Sequence, residues 1–121
     1  MTIRVLVADD SRLSRRSVIK ALPPELEFDI SEASNGKEAI QLLEKSDYQL
    51  MLLDLTMPEM DGVGVLEHLT GAQRKPNVIV ISADFQPEKQ RIVMSLGASK
   101  FIRKPLDKEE LAMTLFELGY L

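Results

Sequence analysis

Residues 50–55 have the sequence Leu-Met-Leu-Leu-Asp-Leu, which is apolar at every position except Asp54. A short, continuous apolar run of this kind predicts a strand that is buried on both faces of a sheet. Four more strands are predicted on both sides of this one. Ile3–Ala8 and Val78–Ser82 are short apolar runs, Phe28–Ala33 alternates between apolar and polar residues, and Lys100–Arg103 is a further short strand.

Segments with apolar residues at helical spacing separate these strands. Ser11 is a suitable N-cap for the first helix, and Pro23 stops that helix after Leu22. Further helices are predicted over Lys37–Lys45 and Val63–Leu69, from Pro87 to near Gly97, and from Asp107 onward. Five strands that alternate with five helices predict an α/β fold, with a doubly wound parallel sheet covered on both faces.

Length and composition favour one soluble globular domain that spans residues 1–121. The absence of cysteine excludes disulfides, thiolate catalysis and cysteine-ligated metals, and the single His68 argues against a histidine-based metal cluster. A net charge of −4 gives no bulk attraction to nucleic acid or anionic membranes. Asp9 and Asp10 interrupt the first apolar stretch, so no signal-peptide pattern is present, and no run is long enough to cross a bilayer. We therefore expect a cytoplasmic protein of bacterial type.

Polar residues stand at the end of several predicted strands. In a doubly wound sheet, ligands bind at the carboxyl ends of the strands, and parallel strands bring these ends to one edge. The residues at this edge are Asp9 and Asp10 after the first strand, Asp54 at the third, Ser82 at the fourth, and Lys104 after the fifth. We expect these side chains to meet.

Three carboxylates in one place repel each other and raise one another's pKa unless a cation lies among them. Oxygen ligands without histidine or cysteine favour Mg²⁺. The Lys104 ammonium and the Ser82 hydroxyl would complete a cradle for a phosphoryl group, and Asp54 could be the nucleophile that forms an aspartyl phosphate. Each residue also has an ordinary explanation, such as a helix start, a turn or a solvated surface. Their joint placement favours the functional interpretation.

Four segments carry a resemblance to a known family: Val5–Ser11 (VLVADDS), Leu53–Gly62 (LDLTMPEMDG), Val80–Ala83 (VISA) and Lys104-Pro105. With these motifs, the whole chain resembles response-regulator receiver domains in their single-domain, CheY-like form. The resemblance implies a flavodoxin-like sheet with the strand order 2-1-3-4-5. The hydrophobic pattern alone does not give this order.

The resemblance also implies roles for the acidic residues. Asp54 corresponds to the phosphoacceptor. Asp10 corresponds to a direct Mg²⁺ ligand, Asp9 assists through a water molecule, and the backbone carbonyl of Thr56 completes the protein ligands.

Other residues correspond to the parts of the family that respond to the phosphoryl group. Ser82 and Lys104 would contact its oxygens, and the Lys104-Pro105 bond would be cis. Phe101 lies at the position of the switch aromatic, often a tyrosine, and here it has no hydroxyl. Ordinary core packing is the alternative explanation for Phe101.

The implied function is that of a two-component phosphorelay domain, and not of an independent enzyme. The phosphoryl donor would be a sensor histidine kinase or a histidine phosphotransfer protein, and the start of the first helix would dock it, with Ser11, Arg12, Leu13 and Arg15. A downstream protein target would bind the face between Gln86 and Leu118, through which a phosphorylation-dependent dimer could also form. Direct nucleic-acid binding and membrane contact are not expected.

Several alternatives remain open at this stage. A phosphatase of the haloacid-dehalogenase type would need a second aspartate where this chain has Thr56, together with a cap domain. A nucleotide or flavin module would need a glycine- or hydroxyl-rich loop where this chain has Asp9 and Asp10. The chain could also be the N-terminal receiver part of a larger regulator, or a receiver-like binding module that works without phosphorylation.

Overall fold

Five strands and five helices alternate along residues 2–121, which are the residues that this computed structural model describes. The strands are β1 (Thr2–Ala8), β2 (Glu27–Ala33), β3 (Leu50–Leu53), β4 (Asn77–Ser82) and β5 (Lys100–Arg103). The helices are α1 (Arg12–Ala21), α2 (Gly36–Lys45), α3 (Gly62–Leu69), α4 (Pro87–Ser95) and α5 (Lys108–Glu117). The predicted alternation is confirmed.

The sheet has the order β2-β1-β3-β4-β5, and every neighbouring pair is parallel. This confirms the doubly wound fold and the order 2-1-3-4-5. Ala8 at the end of β1 is in register with Leu53 at the end of β3, and Ser82 at the end of β4 is in register with Arg103. The residues that follow these strands therefore emerge at the same edge of the sheet.

Hydrophobic cores lie on both faces of the sheet, as the continuous apolar strands predict. Successive residues of a strand point to opposite faces, so Leu6 and Leu53 pack on the side of α2 and α3, whereas Val5 and Leu52 pack on the side of α1 and α5. All residues of β3 are buried. Each buried leucine contributes about 1.5–3 kcal/mol relative to an exposed one, so the two cores hold the edge that carries the polar residues in place.

Polar caps fix the starts of four helices. The side chains of Ser11, Asn35, Asp61 and Asp107 each accept a hydrogen bond from a backbone N–H in the first turn of α1, α2, α3 and α5. Such a cap satisfies one of the backbone donors that a helix start leaves unpaired. Because Asn35 is a cap, α2 begins at Gly36, one residue before the predicted start.

The prediction of β3 was wrong at its end, since the strand stops at Leu53 and not at Leu55. The Asp54 N–H still donates to the Ala8 carbonyl at 2.9 Å, but the Leu55 N–H donates to the Asp54 side chain instead of to a neighbouring strand. The Leu55 carbonyl accepts from the Gly62 N–H at 2.9 Å. The chain therefore turns at Asp54 from the sheet toward α3.

No helix within residues 2–121 is long and apolar enough to cross a membrane.

Candidate functional site

An acidic cluster lies at the carboxyl edge of the sheet. One carboxylate oxygen from each of Asp9, Asp10 and Asp54 lies within 4.8 Å of the others. Asp9 and Asp54 are buried, with 3% and 7% of their surface exposed, and Asp10 is exposed. Their proximity follows from the register of β1 and β3, which are neighbours in the sheet. The structure thus brings together the three carboxylates that the sequence pattern selects.

Three donors surround the Asp9 carboxylate. Its Oδ1 accepts from the Ser11 N–H at 2.9 Å, and its Oδ2 accepts from the Ser14 hydroxyl at 2.7 Å and from the Lys104 ammonium at 2.8 Å. Burial by itself raises the pKa of Asp9, but these hydrogen bonds and the charge of Lys104 together hold it below the ordinary value. The sequence predicts that the carboxylates raise one another's pKa unless a cation lies among them. For Asp9 the Lys104 ammonium is such a cation, and with the other donors it stabilises the ionised form.

Asp54 has fewer donors. Its Oδ1 accepts from the Leu55 N–H at 2.9 Å, and its Oδ2 lies 3.7 Å from the Lys104 nitrogen. Burial raises the pKa of Asp54, the charge of Lys104 opposes this, and the nearby Asp9 and Asp10 raise it further. The pKa of Asp54 is therefore raised, chiefly by burial, and the neighbouring carboxylates contribute less to the shift.

Lys104 reaches the site from the end of β5, and Ser82 stands at the end of the neighbouring strand β4. The Lys104 N–H donates to the Ser82 carbonyl at 2.9 Å, and the Lys104-Pro105 bond is cis, as the resemblance implied. The Ser82 side chain is buried, and its Oγ accepts from the Asp84 N–H at 3.0 Å. The hydroxyl therefore faces the loop after β4 in this structure.

Thr56 and Phe101 were also selected by the resemblance. Thr56 lies in the loop between β3 and α3, two residues after Asp54, with an exposed side chain. Phe101 lies on β5 opposite Val80 and is half-buried against the core on the side of α2 and α3. Two residues further along β5, the Arg103 guanidinium lies 3.7 Å from the centre of the Phe85 ring. This cation–π contact joins β5 to the loop before α4.

The start of α1 differs in part from the expected docking face. Leu13 is 77% exposed, and Arg12 and Arg16 flank it. Arg15, by contrast, donates to the Asp9 carbonyl at 2.7 Å and pairs with Glu32 at 2.8 Å. Arg15 therefore holds the main chain at Asp9, and its guanidinium is not free to bind a partner protein.

Sequence reasoning missed Ser14 as a residue of the site. The available signal was the spacing from Ser11 to Ser14, because residues three apart lie on the same side of a helix. Ser11 is the N-cap of α1 and lies beside Asp9, so Ser14 on the same side of the helix also faces Asp9. His68 was expected at the surface, and it is exposed on α3 away from this edge.

Comparison with known proteins agrees with this arrangement. The chain matches the response regulator receiver domain family over residues 5–116. It belongs to this family. A response regulator receiver protein from Pseudomonas putida has the same fold, with a TM-score of 0.86, 28% identity, and coverage of 97% of this chain and 98% of that one.

Two curated relatives are longer than this chain. A protein-glutamate methylesterase/protein-glutamine glutaminase of Rhodospirillum rubrum is 39% identical over 103 residues, which are 84% of this chain and 28% of that protein. The transcriptional regulatory protein SrrA of Staphylococcus aureus is 34% identical over 113 residues, which are 93% of this chain and 46% of SrrA. The receiver domain thus spans less than half of either relative.

Receiver domains bind Mg²⁺ at an acidic pocket, and they interact with histidine kinases and downstream effectors. The donor set of this chain fits such an ion, because Asp9, Asp10 and Asp54 offer hard oxygen ligands within a few ångströms of each other. The Lys104 ammonium offsets only part of the negative charge of the three carboxylates. The remaining negative charge favours the binding of one further cation.

Proposed function

We propose that this receiver domain accepts a phosphoryl group on Asp54 from the phosphohistidine of a sensor histidine kinase or a histidine phosphotransfer protein. The observation that carries the proposal is the position of Asp54. Its carboxylate is buried at the carboxyl edge of the sheet, between two further aspartates and the Lys104 ammonium. A phosphoryl group on Asp54 would lie among groups that bind its oxygens.

The two oxygens of Asp54 have different roles in this proposal. Oδ1 is held by the Leu55 N–H, whereas Oδ2 lies on the side of Lys104. Oδ2 therefore attacks the phosphorus atom. A P–O bond forms, the P–N bond to the donor histidine breaks, and its electron pair returns to the imidazole nitrogen. The product is an aspartyl phosphate.

Asp10, Asp54 and the backbone carbonyl of Thr56 would hold Mg²⁺ directly, and Asp9 would assist through a water molecule. When bound, Mg²⁺ supplies positive charge that offsets the charge on the phosphoryl oxygens. Lys104 contributes a second positive charge from the opposite side, since its ammonium is within reach of Asp54. Asp9 helps to orient Lys104, because the two form a hydrogen-bonded ion pair.

The response to the phosphoryl group begins at Ser82. The hydroxyl of Ser82 now accepts from the Asp84 N–H, and it would rotate to donate to a phosphoryl oxygen. That rotation would change the loop that carries Phe85, and through the contact between Phe85 and Arg103 it would reach β5. Phe101 on the same strand is the aromatic residue that would move with it.

We infer that phosphorylation controls a protein-binding face formed by α4, β5 and α5, and that this domain has no independent enzymatic turnover. A downstream protein, or a second copy of the chain, would bind this face. The exposed side chains of Ile92, Met94 and Arg103 are available there. If the chain is the receiver part of a longer regulator, the same face would control its output domain.

The test is the intact mass of the protein after incubation with acetyl phosphate, with and without Mg²⁺. The wild type should gain one phosphoryl group only when Mg²⁺ is present, and Asp54→Asn should gain none. Asp47→Asn is a matched control, because Asp47 is a surface aspartate paired with Arg74, and it should behave as the wild type.

Two outcomes would contradict the proposal. Phosphorylation of Asp54→Asn at the rate of the wild type would show that another residue is the acceptor. No phosphorylation of the wild type, together with no binding of the phosphoryl mimic beryllofluoride, would favour a receiver-like binding module that works without phosphate.

A further inference from the structure

The side chain of Arg15 binds the main chain where β1 ends. Its Nη1 donates to the Asp9 carbonyl at 2.7 Å, and its Nε donates to the Glu32 carboxylate at 2.8 Å. Only 14% of the Arg15 side chain is exposed, although arginine is usually a surface residue. The guanidinium therefore joins the end of β1 to the neighbouring strand β2, and neither contact takes part in the proposed phosphoryl transfer.

Asp10 follows the peptide group that Arg15 holds. The Asp9 N–H donates to the Ala33 carbonyl at 3.0 Å, and the Ser11 N–H donates to the Asp9 carboxylate at 2.9 Å. Together with the contact from Arg15, these hydrogen bonds hold the main chain directly before and directly after Asp10. The direction in which the Asp10 side chain leaves the main chain is therefore fixed.

The Asp10 carboxylate has no comparable support of its own. Within residues 2–121, no hydrogen bond or ion pair involves its oxygens, whereas the Asp9 carboxylate accepts three hydrogen bonds. Asp10 is exposed, yet one of its oxygens lies within 4.8 Å of an oxygen of Asp9 and of Asp54. The charge of Asp10 raises the pKa of Asp54, so the two carboxylates repel each other. The place of Asp10 in the cluster therefore depends on its main chain.

We propose that Arg15 is a positioning residue of the cation site, which directs the Asp10 carboxylate toward Asp9 and Asp54 by holding the Asp9 carbonyl. Glu32 supports this role, since it pairs with the same guanidinium. Arg15 acts through Asp10 and does not contact the ion. This proposal rests on the proposed role of Asp10 as a direct ligand of Mg²⁺.

The positive charge of Arg15 allows a test by the sign of an effect. A positive charge near the cluster repels Mg²⁺, so charge alone predicts that a neutral residue at position 15 raises the affinity for the ion. A positioning role predicts the opposite. Only 3% of Asp9 is exposed, so water cannot freely replace the donor that its carbonyl would lose. The peptide group can then turn to another donor, and Asp10 loses its fixed direction.

The experiment measures the dissociation constant for Mg²⁺ by NMR titration of the backbone amide signals, in the wild type and in Arg15→Met. We expect Arg15→Met to bind Mg²⁺ about tenfold more weakly, the scale found when a partner that orients a metal ligand is removed. The same spectra show that the variant is folded. Lys20→Met is the matched control, because it removes one positive charge from an exposed residue in the last turn of the same helix. Its affinity for Mg²⁺ should change by less than about twofold.

Glu32→Gln is a milder test, because it keeps Arg15 and removes only the charge of its partner. We expect this variant to bind Mg²⁺ about threefold more weakly than the wild type, since residues in one ion pair are coupled. Solvent screens much of the direct effect of the Glu32 charge on the ion, because 46% of its side chain is exposed. In the Arg15→Met background, Glu32→Gln should therefore have no further effect.

An affinity of Arg15→Met at or above that of the wild type would overturn the role of Arg15 and leave the proposed function intact. Wild-type affinity in Glu32→Gln would overturn it as well, and this variant tests the role even if Arg15→Met does not fold. An equal effect of Glu32→Gln in both backgrounds would show that Glu32 acts by charge alone and would also overturn the proposal. No Mg²⁺ binding by the wild type would instead count against the proposed function itself.

Discussion

The Lys104 ammonium lies 2.8 Å from the Asp9 carboxylate, although the two residues are 95 positions apart in the chain. Lys104 follows β5 and Asp9 follows β1, and β3 and β4 lie between these strands in the sheet. Since the same ammonium also approaches Asp54 after β3, one side chain connects the ends of three strands. Lys104 is therefore the positive charge that links the carboxylates at this edge.

Replacement of Lys104 by methionine should destabilise the metal-free protein. The change leaves Asp9 and Asp54 buried beside Asp10 without a compensating cation. We expect the free energy of unfolding at pH 7 to fall by about 2 kcal/mol, less than for a fully buried pair because the Lys104 side chain is 23% exposed. Urea denaturation in the presence of a chelator measures this change.

Added Mg²⁺ should stabilise Lys104→Met more than the wild type, since the ion would replace the missing charge at the cluster. The exposed Lys75 provides the control, and Lys75→Met should leave both the stability and its Mg²⁺ dependence unchanged. Identical Mg²⁺ dependence in Lys104→Met and the wild type would show that the ion does not replace the Lys104 charge, and no stabilisation of either protein by Mg²⁺ would contradict a cation site at the three aspartates.

Asp54 should make stability fall as the pH rises. Its folded-state pKa is raised above the ordinary value of 3.8 by burial, so between these two pKa values the folded state binds more protons than the unfolded state. Stability then decreases with pH across that window. Asp54→Asn, which stays neutral, should match the wild type below pH 3.8. It should be more stable by on the order of 1 kcal/mol at pH 7, the scale of one interaction between nearby charges.

The measurement is the free energy of unfolding of both proteins by urea at a series of pH values. Asp9 contributes in the opposite direction, because its lowered pKa gives stability that is lost as the pH falls. That contribution is lost below pH 3.8, whereas the contribution of Asp54 lies above it, so the two effects are separated by pH. A difference that does not change with pH would show that the charge of Asp54 is not the cause.

Apolar runs were sufficient to predict β1, β3 and β4, because strands buried on both faces leave a continuous hydrophobic signal, whereas β2 was predicted from its alternation. They could not give the strand order, since each face of β3 or β4 is equally apolar. The order came from the motifs around Asp54 and Lys104. The convergence of polar residues followed from the parallel arrangement, which needs no knowledge of the order.

The hydrogen bonds within the site could not be predicted in this way. The lowered pKa of Asp9 depends on the Ser14 hydroxyl and on the path of the Lys104 side chain, and neither has a periodic signal in the sequence. The end of β3 was also missed. Leu55 continues the apolar run, but its N–H bonds to the Asp54 carboxylate, so side-chain chemistry and not hydrophobicity ends the strand.

Gly62 should be essential to the turn that leads from Asp54 at the end of β3 to the start of α3. A Cβ at this position would lie 2.6 Å from the Asp54 carbonyl oxygen and 2.8 Å from the Leu55 Cα, which are both main-chain atoms. Gly62→Ala would push the start of α3 away from the segment that carries Asp54. We expect a loss of about 2 kcal/mol in the free energy of unfolding, typical of overpacking against a fixed backbone.

Gly64 is a matched control on the same helix. A Cβ there would first meet Met60 Cγ, which belongs to a flexible side chain, at 2.7 Å. Alanine is favoured over glycine in a helix by about 1 kcal/mol, so Gly64→Ala should be close to neutral once Met60 has moved. Urea denaturation of the two variants side by side tests the contrast. A Gly62→Ala protein as stable as Gly64→Ala would show that α3 can shift freely, and that the close approach of Gly62 to Asp54 is not what fixes the acceptor loop.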